Sequence, residues 1–175
     1  MNKYIYRTPE EFSDISLCSD GECLVGLEFV DDADNYSTEM SEELEEVCEW
    51  LDEYFAGKVP SFVPKYQFEE LSEFTEEVLR IVEGIPYGET MTYGEIAQLI
   101  ALRHNRKMSA QAVGGAVGRN PIGIIIPCHR VVGLNGKMTG YNGGMQNKLA
   151  LLAHEHVLGF GRTIDGNDSS GNIAG

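Results

Sequence analysis

No stretch of this chain approaches the ~20 consecutive apolar residues that a bilayer-spanning helix needs. The opening segment, MNKYIYRTPEEF, has no apolar core of the kind a secretory signal carries. Four cysteines in 175 residues do not make the disulfide framework that staples small secreted domains. These absences together make a cytoplasmic protein with reduced thiols, and no membrane partner, the expectation. Positive charge is scarce as well. Thirteen Lys and Arg stand against 28 Asp and Glu, a net charge of −15, which at first argues against a nucleic-acid partner. No internal repeat is present, which excludes repeat architectures.

The remaining composition is that of a globular protein, with 42% hydrophobic and 23% charged residues. The charge is unevenly spread. Up to Glu83 there are 23 acidic and 5 basic residues; from Gly84 onward there are 5 and 8. All four histidines also lie in the second part. Such asymmetry points to two units with different tasks. An acidic partner is disfavoured for the first and permitted for the second.

Residues 3–30 read as strands. In SDISLCSDGECLVGLEFV, Asp20-Gly21 separates two alternating apolar runs, which predicts a hairpin. A two-residue turn would set Cys18 directly opposite Cys23. The two could bridge, bind a metal, or remain reduced strand cysteines, and the reducing default favours the last. Residues 31–39 form a polar loop. Met40, Leu44, Val47, Leu51 and Tyr54 recur at helical spacing up to Gly57, with the acidic residues on the solvated face. KVPSFVPKY reads as a linker. A second helix follows, with Phe68, Leu71, Phe74, Val78 and Ile81 on one face and Gly84 as its stop.

Beyond Gly84 the character changes. Thr92 with Glu95 three residues later is a capping box. After RHNRKM, Ser109 can cap a short helix, AQAVGGAVG. Two short helices joined by a loop suggest a helix-turn-helix. The second consists almost wholly of small residues, which allow close backbone approach, either to a packed helix or to the minor groove of DNA. Ile124–Ile126 reads as a buried strand, Asn135-Gly136 as a hairpin turn, and GGMQNKLALLAHE as a last helix with Leu149, Leu152 and Ala153 inward. The tail from Arg162, rich in glycine, serine and asparagine, reads as disordered.

Within NPIGIIIPCHRVVG, Cys128 is a candidate nucleophile. A thiol is reactive as thiolate, and its ordinary pKa is about 8.5, so a base or a positive charge must assist it. His129 and Arg130 adjoin it. Consecutive residues on a strand face opposite ways, so the two can cooperate only if Pro127 makes the backbone irregular. Glu155, the one acidic residue between Ile96 and Gly161, would orient the histidine. On residue chemistry alone, a structural cysteine remains the competing reading.

The string NPIGIIIPCHRVVG, preceded by SAQAVGGAVGR and followed by TGYNGG and KLALLAHE, closely resembles the O6-alkylguanine-DNA alkyltransferases. The resemblance is dense from about Phe68 to Gly159; the first half matches in layout only. It implies an α/β (α+β) protein. A small ribonuclease H-like sheet and helix domain, acidic, would span 1–65. An alkyltransferase and DNA-binding domain with a helix-turn-helix and a short β-hairpin would span 66–161, and a tail 162–175. It further implies a monomer that binds double-stranded DNA carrying O6-alkylguanine through the minor groove and flips the damaged base. The methyl of O6-methylguanine, and of O4-methylthymine, would pass irreversibly to Cys128, with no cofactor and no metal. His129 would be the base, acting through a water, and Glu155 would orient it. Asn120 would hold the turn, and Tyr93 would donate to the flipped base. Tyr141, Asn142 and Lys148 would line the pocket, and Ser109, Ala110, Gln111, Gly114 and Arg119 would meet DNA. Pro127 and Arg130 would be structural. Many family members carry an arginine at the position of Gln111, so this chain departs from the pattern there. The alternative is an alkyltransferase-like module that binds lesions without efficient transfer.

Overall fold

Asp20 shapes a tight turn early in the chain. Its Oδ1 accepts from the backbone N–H groups of Glu22 and Cys23 at 2.8 and 2.9 Å, and Gly21 adopts a left-handed φ of 101°, open to glycine without steric cost. The computed structural model describes residues 1–32 and 39–157. Most of the polar loop expected at 31–39, and the whole tail from Arg162, lie outside them. The chain divides into two compact units. One is Met1–Glu70 with Pro121–Ile125; the other is Leu71–Asn120 with Ile126–Gly175.

In the first unit, β1 (Asn2–Tyr6), β2 (Asp14–Ser19) and β3 (Leu24–Val30) form an antiparallel sheet in that order. The hairpin at Asp20-Gly21 forms, but its loop is wider than two residues. Asp20 N–H bonds the Cys23 carbonyl, the register slips between Cys18 and Ser19, and Cys18 faces Gly26. Cys18 and Cys23 are therefore not opposite each other, and both are free thiols. Helix α1 (Glu42–Phe55) buries Leu44, Val47, Trp50, Leu51 and Tyr54, while Met40 precedes it and is exposed. The segment 121–123 joins this unit through Leu27, whose N–H donates to the Pro121 carbonyl and whose carbonyl accepts from Gly123 N–H.

In the second unit, Ser72 starts α2 (Glu73–Glu83) by accepting from Thr75 N–H at 3.1 Å. The helix thus begins after Phe68 and Leu71. Its buried stripe is Thr75, Val78, Leu79 and Val82, with Phe74 and Ile81 only half-buried; the expected face is rotated accordingly. The capping box of Thr92 and Glu95 opens α3 (Tyr93–His104), and Ser109 caps α4 (Ala110–Val117). Helix α4 packs against α2 and α3 through Val113, Ala116 and Val117. Each buried valine contributes about 1.5–3 kcal/mol, and the Ala116 methyl less. Helix α5 (Met145–His154) turns Asn147, Lys148, Leu151 and Leu152 inward; Leu149, expected inside, is 36% exposed.

Two short elements differ from expectation. The isoleucine run is buried, but it is a series of tight turns and not a strand. Ile124 has φ 65°, Ile125 N–H reaches the Gly123 carbonyl at 2.7 Å, and Cys128 N–H reaches that of Ile126 at 2.8 Å. Pro127, with φ −81° and ψ 64°, is the centre of an inverse γ-turn. The Asn135-Gly136 turn forms with both residues left-handed, but it does not close a hairpin of paired strands. Instead β5 (Val131–Val132) pairs in parallel with β4 (Met91–Thr92), and the Val131 carbonyl is held by Lys148 Nζ at 2.8 Å.

Gly133 sits where this turn closes. A Cβ there would lie 2.9 Å from the Lys137 carbonyl oxygen and 3.3 Å from Thr139 Cγ2. Backbone cannot yield as a flexible side chain does, so Gly133→Ala is expected to destabilise the protein by about 1–3 kcal/mol. A chemical-denaturation midpoint unchanged from the parent would refute this.

Candidate active site

The γ-turn at Pro127 feeds directly into a 3-10 turn, Cys128–Arg130. This irregular backbone removes the strand alternation that would have sent Cys128 and His129 to opposite faces. Cys128 is 7% exposed and His129 fully buried. Burial pushes the thiol pKa up, while hydrogen bonds from Asn120 and Tyr141 and the charge of Lys148 pull it back. Asn120 is fixed by its own bond, Nδ2 donating to the Ile126 carbonyl at 2.9 Å. The Tyr141 hydroxyl is raised well above its usual range, first by burial and then by Cys128, so it remains a donor.

His129 Nε2 lies 2.7 Å from Glu155 Oε2. Arg130 grips the same carboxylate twice, Nε to Oε1 at 2.8 Å and Nη2 to Oε2 at 3.0 Å. Gly88 N–H donates to Oε1 at 3.1 Å. Burial alone would raise the Glu155 pKa, but His129 and Arg130 overcome it and hold the carboxyl well below the ordinary range. An ionised Glu155 only accepts, which assigns the imidazole proton to Nε2 and leaves Nδ1 as the basic nitrogen. Nδ1 is buried without a protein hydrogen-bond partner among the described residues. Burial also lowers the His129 pKa, against the opposing pull of Glu155, so the resting ring is neutral and able to accept a proton.

The thiol lines a recess of about 40 Å³ together with Tyr93, Val117, Tyr141 and others. The recess adjoins an open cavity of about 930 Å³, which shares Tyr93, Gly114, Tyr141 and Asn142 with it and adds Ala110 and Gln111. A Cβ on Gly114 would meet the Tyr93 ring at 3.8 Å, so ring and α4 lie in contact. The Tyr93 hydroxyl accepts from Thr139 Oγ1 at 3.0 Å, and Asn142 Nδ2 donates to the Gly118 carbonyl. Ser109 and Arg119 are exposed on α4 and its C-terminal turn, outside the walls of this cavity. Lys148 is fully buried and, contrary to expectation, lines neither the recess nor the cavity.

Both units match descriptions of one family. Residues 73–157 match the 6-O-methylguanine DNA methyltransferase DNA binding domain, and residues 5–63 its ribonuclease-like domain. A methylated-DNA–protein-cysteine methyltransferase of Haemophilus influenzae is 36% identical over 159 residues, covering 88% of this chain and 87% of that protein. The chain belongs to the 6-O-methylguanine DNA methyltransferase family. Its match to the Mycolicibacterium paratuberculosis protein of the same name is 49% identical over 107 residues, 61% of this chain and 62% of that protein's length. The crystal structure of Mycobacterium tuberculosis OGT in complex with DNA superposes with a TM-score of 0.74 at 34% identity, covering 89% of this chain and 92% of that one.

Four contacts around this site went unread in the sequence. Arg130, taken as merely structural, is the main partner of Glu155. The Gly88 N–H and the Ile85 carbonyl, which receives Arg130 Nη1 at 2.7 Å, are backbone groups with no sequence signature. Thr139 meets Tyr93 from 46 residues away.

Lys148 gives the site a pH signature. Burial lowers its pKa to about 8, against about 10.4 in an unfolded chain. Between those values the unfolded state binds more protons, so this group makes stability rise with pH. Below about 8 both states are protonated and its slope vanishes. The raised Cys128 thiol acts oppositely, but loss of the Lys148 charge in a Lys148→Met variant raises it further, so it does not reverse the difference between the two proteins. The stability of the parent minus that of Lys148→Met is expected to grow from about pH 8 to about pH 10. A constant difference in urea midpoints over that range would count against it.

Proposed function

We propose that this protein repairs O6-methylguanine, and O4-methylthymine, in double-stranded DNA by transferring the methyl group irreversibly to Cys128. The observation that carries the reading is the Cys128 thiol at the floor of a cavity, followed in the chain by a buried histidine bonded to the clamped Glu155. A thiol beside a neutral imidazole with a free basic nitrogen suits nucleophilic attack by sulfur. His129 Nδ1 takes the thiol proton through a water. The thiolate attacks the methyl carbon, the carbon–oxygen bond breaks as the sulfur–carbon bond forms, and the electron pair goes to guanine O6. Tyr93, accepting from Thr139, keeps its own O–H free to donate to the departing base. Asn120 and Tyr141 stabilise the thiolate by donating to it, within a water-poor recess that strengthens both interactions. The thioether has no activated leaving group, so the protein acts once.

Residues 66–161 are the alkyltransferase and DNA-binding domain in this reading, and residues 1–65 an acidic companion. The protein works as a cytoplasmic monomer without metal or cofactor. The helix-turn-helix of α3 and α4 docks in the minor groove. Its second helix has small outward residues and carries Gln111 at the cavity mouth. Ser109, Ala110 and Gly114 approach the backbone closely, and exposed Arg106, Lys107 and Arg119 supply positive charge. Arg103 is less available, because with His104 it pairs with Glu77. Recognition is of the lesion and of local deformability, since α4 has no long side chain besides Gln111 to read base edges. A lesion-binding module without transfer has no need of the Cys128 thiol.

Intact mass after incubation with O6-methylguanine duplex is expected to rise by one methyl group per molecule, located on Cys128, and not at all in Cys128→Ser. Methylation of Cys18, Cys23 or Cys48, or turnover beyond one equivalent, would falsify the mechanism. Gln111→Arg adds charge and a larger wedge where the flipped base leaves a gap. It is expected to tighten duplex binding and speed duplex repair, with little effect on reaction with the free modified base. Unchanged duplex affinity and rate would mean that α4 is not the helix entering the groove.

A further inference from the structure

The Arg130 guanidinium makes three hydrogen bonds two residues beyond the thiol, yet it does not line the cavity that leads to the thiol. It reaches both oxygens of Glu155 and the Ile85 carbonyl, and lies 5.6 Å from the centre of the Tyr87 ring. It is 8% exposed, so these contacts are barely screened by water. Chain order explains its position. The 3-10 turn sends Cys128, His129 and Arg130 to successive directions, and the second and third converge on one carboxylate.

We propose that Arg130 is a positioning residue that sets the pH at which His129 can accept the thiol proton. This rests on the reading of His129 as the base. Were Glu155 bonded to His129 alone, the carboxylate would draw the proton onto the imidazole and hold a buried ion pair. The relay would then rest in its spent form. Arg130 divides the carboxylate's charge between two partners and adds a positive charge of its own, which opposes protonation of the ring. The charges acting on His129 are Glu155 and Lys148 from the α5 segment, and Arg130 from its own turn. Cys128 adjoins it on that turn, Tyr141 faces Cys128 and Glu155, and Tyr87 faces Glu155 and Arg130. Helix α2, packed against the turn, buries Thr75, Val78, Leu79 and Val82, none of which is charged. Arg130 is thus the positive group nearest the His129–Glu155 bond by its contacts.

The test combines two readouts on the full-length protein, the parent, Arg130→Lys and Arg130→Gln. The His129 imidazole is titrated by NMR, and single-turnover methyl transfer from an O6-methylguanine duplex is measured against pH. In Arg130→Gln the imidazole pKa and the acid limb of the rate profile are expected to move up together by about one unit, slowing transfer about tenfold at pH values below the limb. Arg130→Lys keeps the charge but loses the two-pronged grip, and is expected to fall between parent and Arg130→Gln. It also keeps the test decisive if Arg130→Gln does not fold, because any upward shift then supports the proposal and none refutes it. A variant that is slower at every pH with an unmoved limb and an unmoved imidazole overturns the proposal, and Arg130 is then a structural strut. An imidazole that shifts while the rate profile does not would overturn the assignment of His129 as the base, while leaving Arg130's hold on the ring established.

Discussion

A carboxylate almost wholly removed from solvent governs this structure. Glu155 is 3% exposed, and removing such a charge from solvent costs several kcal/mol unless it is paired and hydrogen-bonded. Four hydrogen bonds meet that demand, and they tie two other parts of the second unit to the end of α5. His129 and Arg130 come from the turn after Pro127, and Gly88 comes from the segment between α2 and β4. Satisfying one buried charge therefore fixes the thiol's neighbour, the turn it lies on and the loop beside it. The arrangement is specific because a partly satisfied carboxylate would be worse than none.

The chemistry follows from the same constraint. An ionised Glu155 dictates the histidine tautomer, and burial keeps the ring neutral and the thiol protonated. The resting site is thus uncharged at Cys128 and His129, and charge appears only when a proton moves between them. Around the sulfur, the groups that would receive that charge are already in place. Asn120 is anchored to Ile126, Tyr141 stays protonated, and Lys148 is fixed to Val131. Little reorganisation is left for the moment of reaction, which is where preorganised donors gain most.

Helix α4 reflects a different balance. Its inward residues, Val113, Ala116 and Val117, suffice to hold it on α2 and α3. Its other residues are nearly all small, which costs helix propensity at Gly114 and Gly115. The gain is access. The Tyr93 ring can lie against Gly114, and the cavity mouth between α3 and α4 stays open above the thiol.

Much of this was legible in linear order. Two helix starts were, because the caps at Thr92 and Ser109 are local bonds between near neighbours. The turns at Gly21 and Asn135-Gly136 were, because left-handed backbone demands particular residues. The candidate relay of Cys128, His129 and Glu155 was, because Glu155 has no acidic rival nearby in the sequence. What failed were inferences about faces and partners. The isoleucine run read as a strand, since apolar character does not reveal the γ-turns that interrupt it. Leu149 and Leu151 are alike in chemistry, and only packing chose which turned inward. Cys18 and Cys23 do not face each other because the register slips between Cys18 and Ser19. Arg130 is the plainest case. Its charge was visible in the sequence, but the carboxylate it meets lies 25 residues away. Sequence determined which groups were available and where the backbone could bend, since those are properties of single residues and their neighbours. Tertiary structure decided which groups share a buried space, because only there does the low dielectric make an unpaired charge too costly to leave alone.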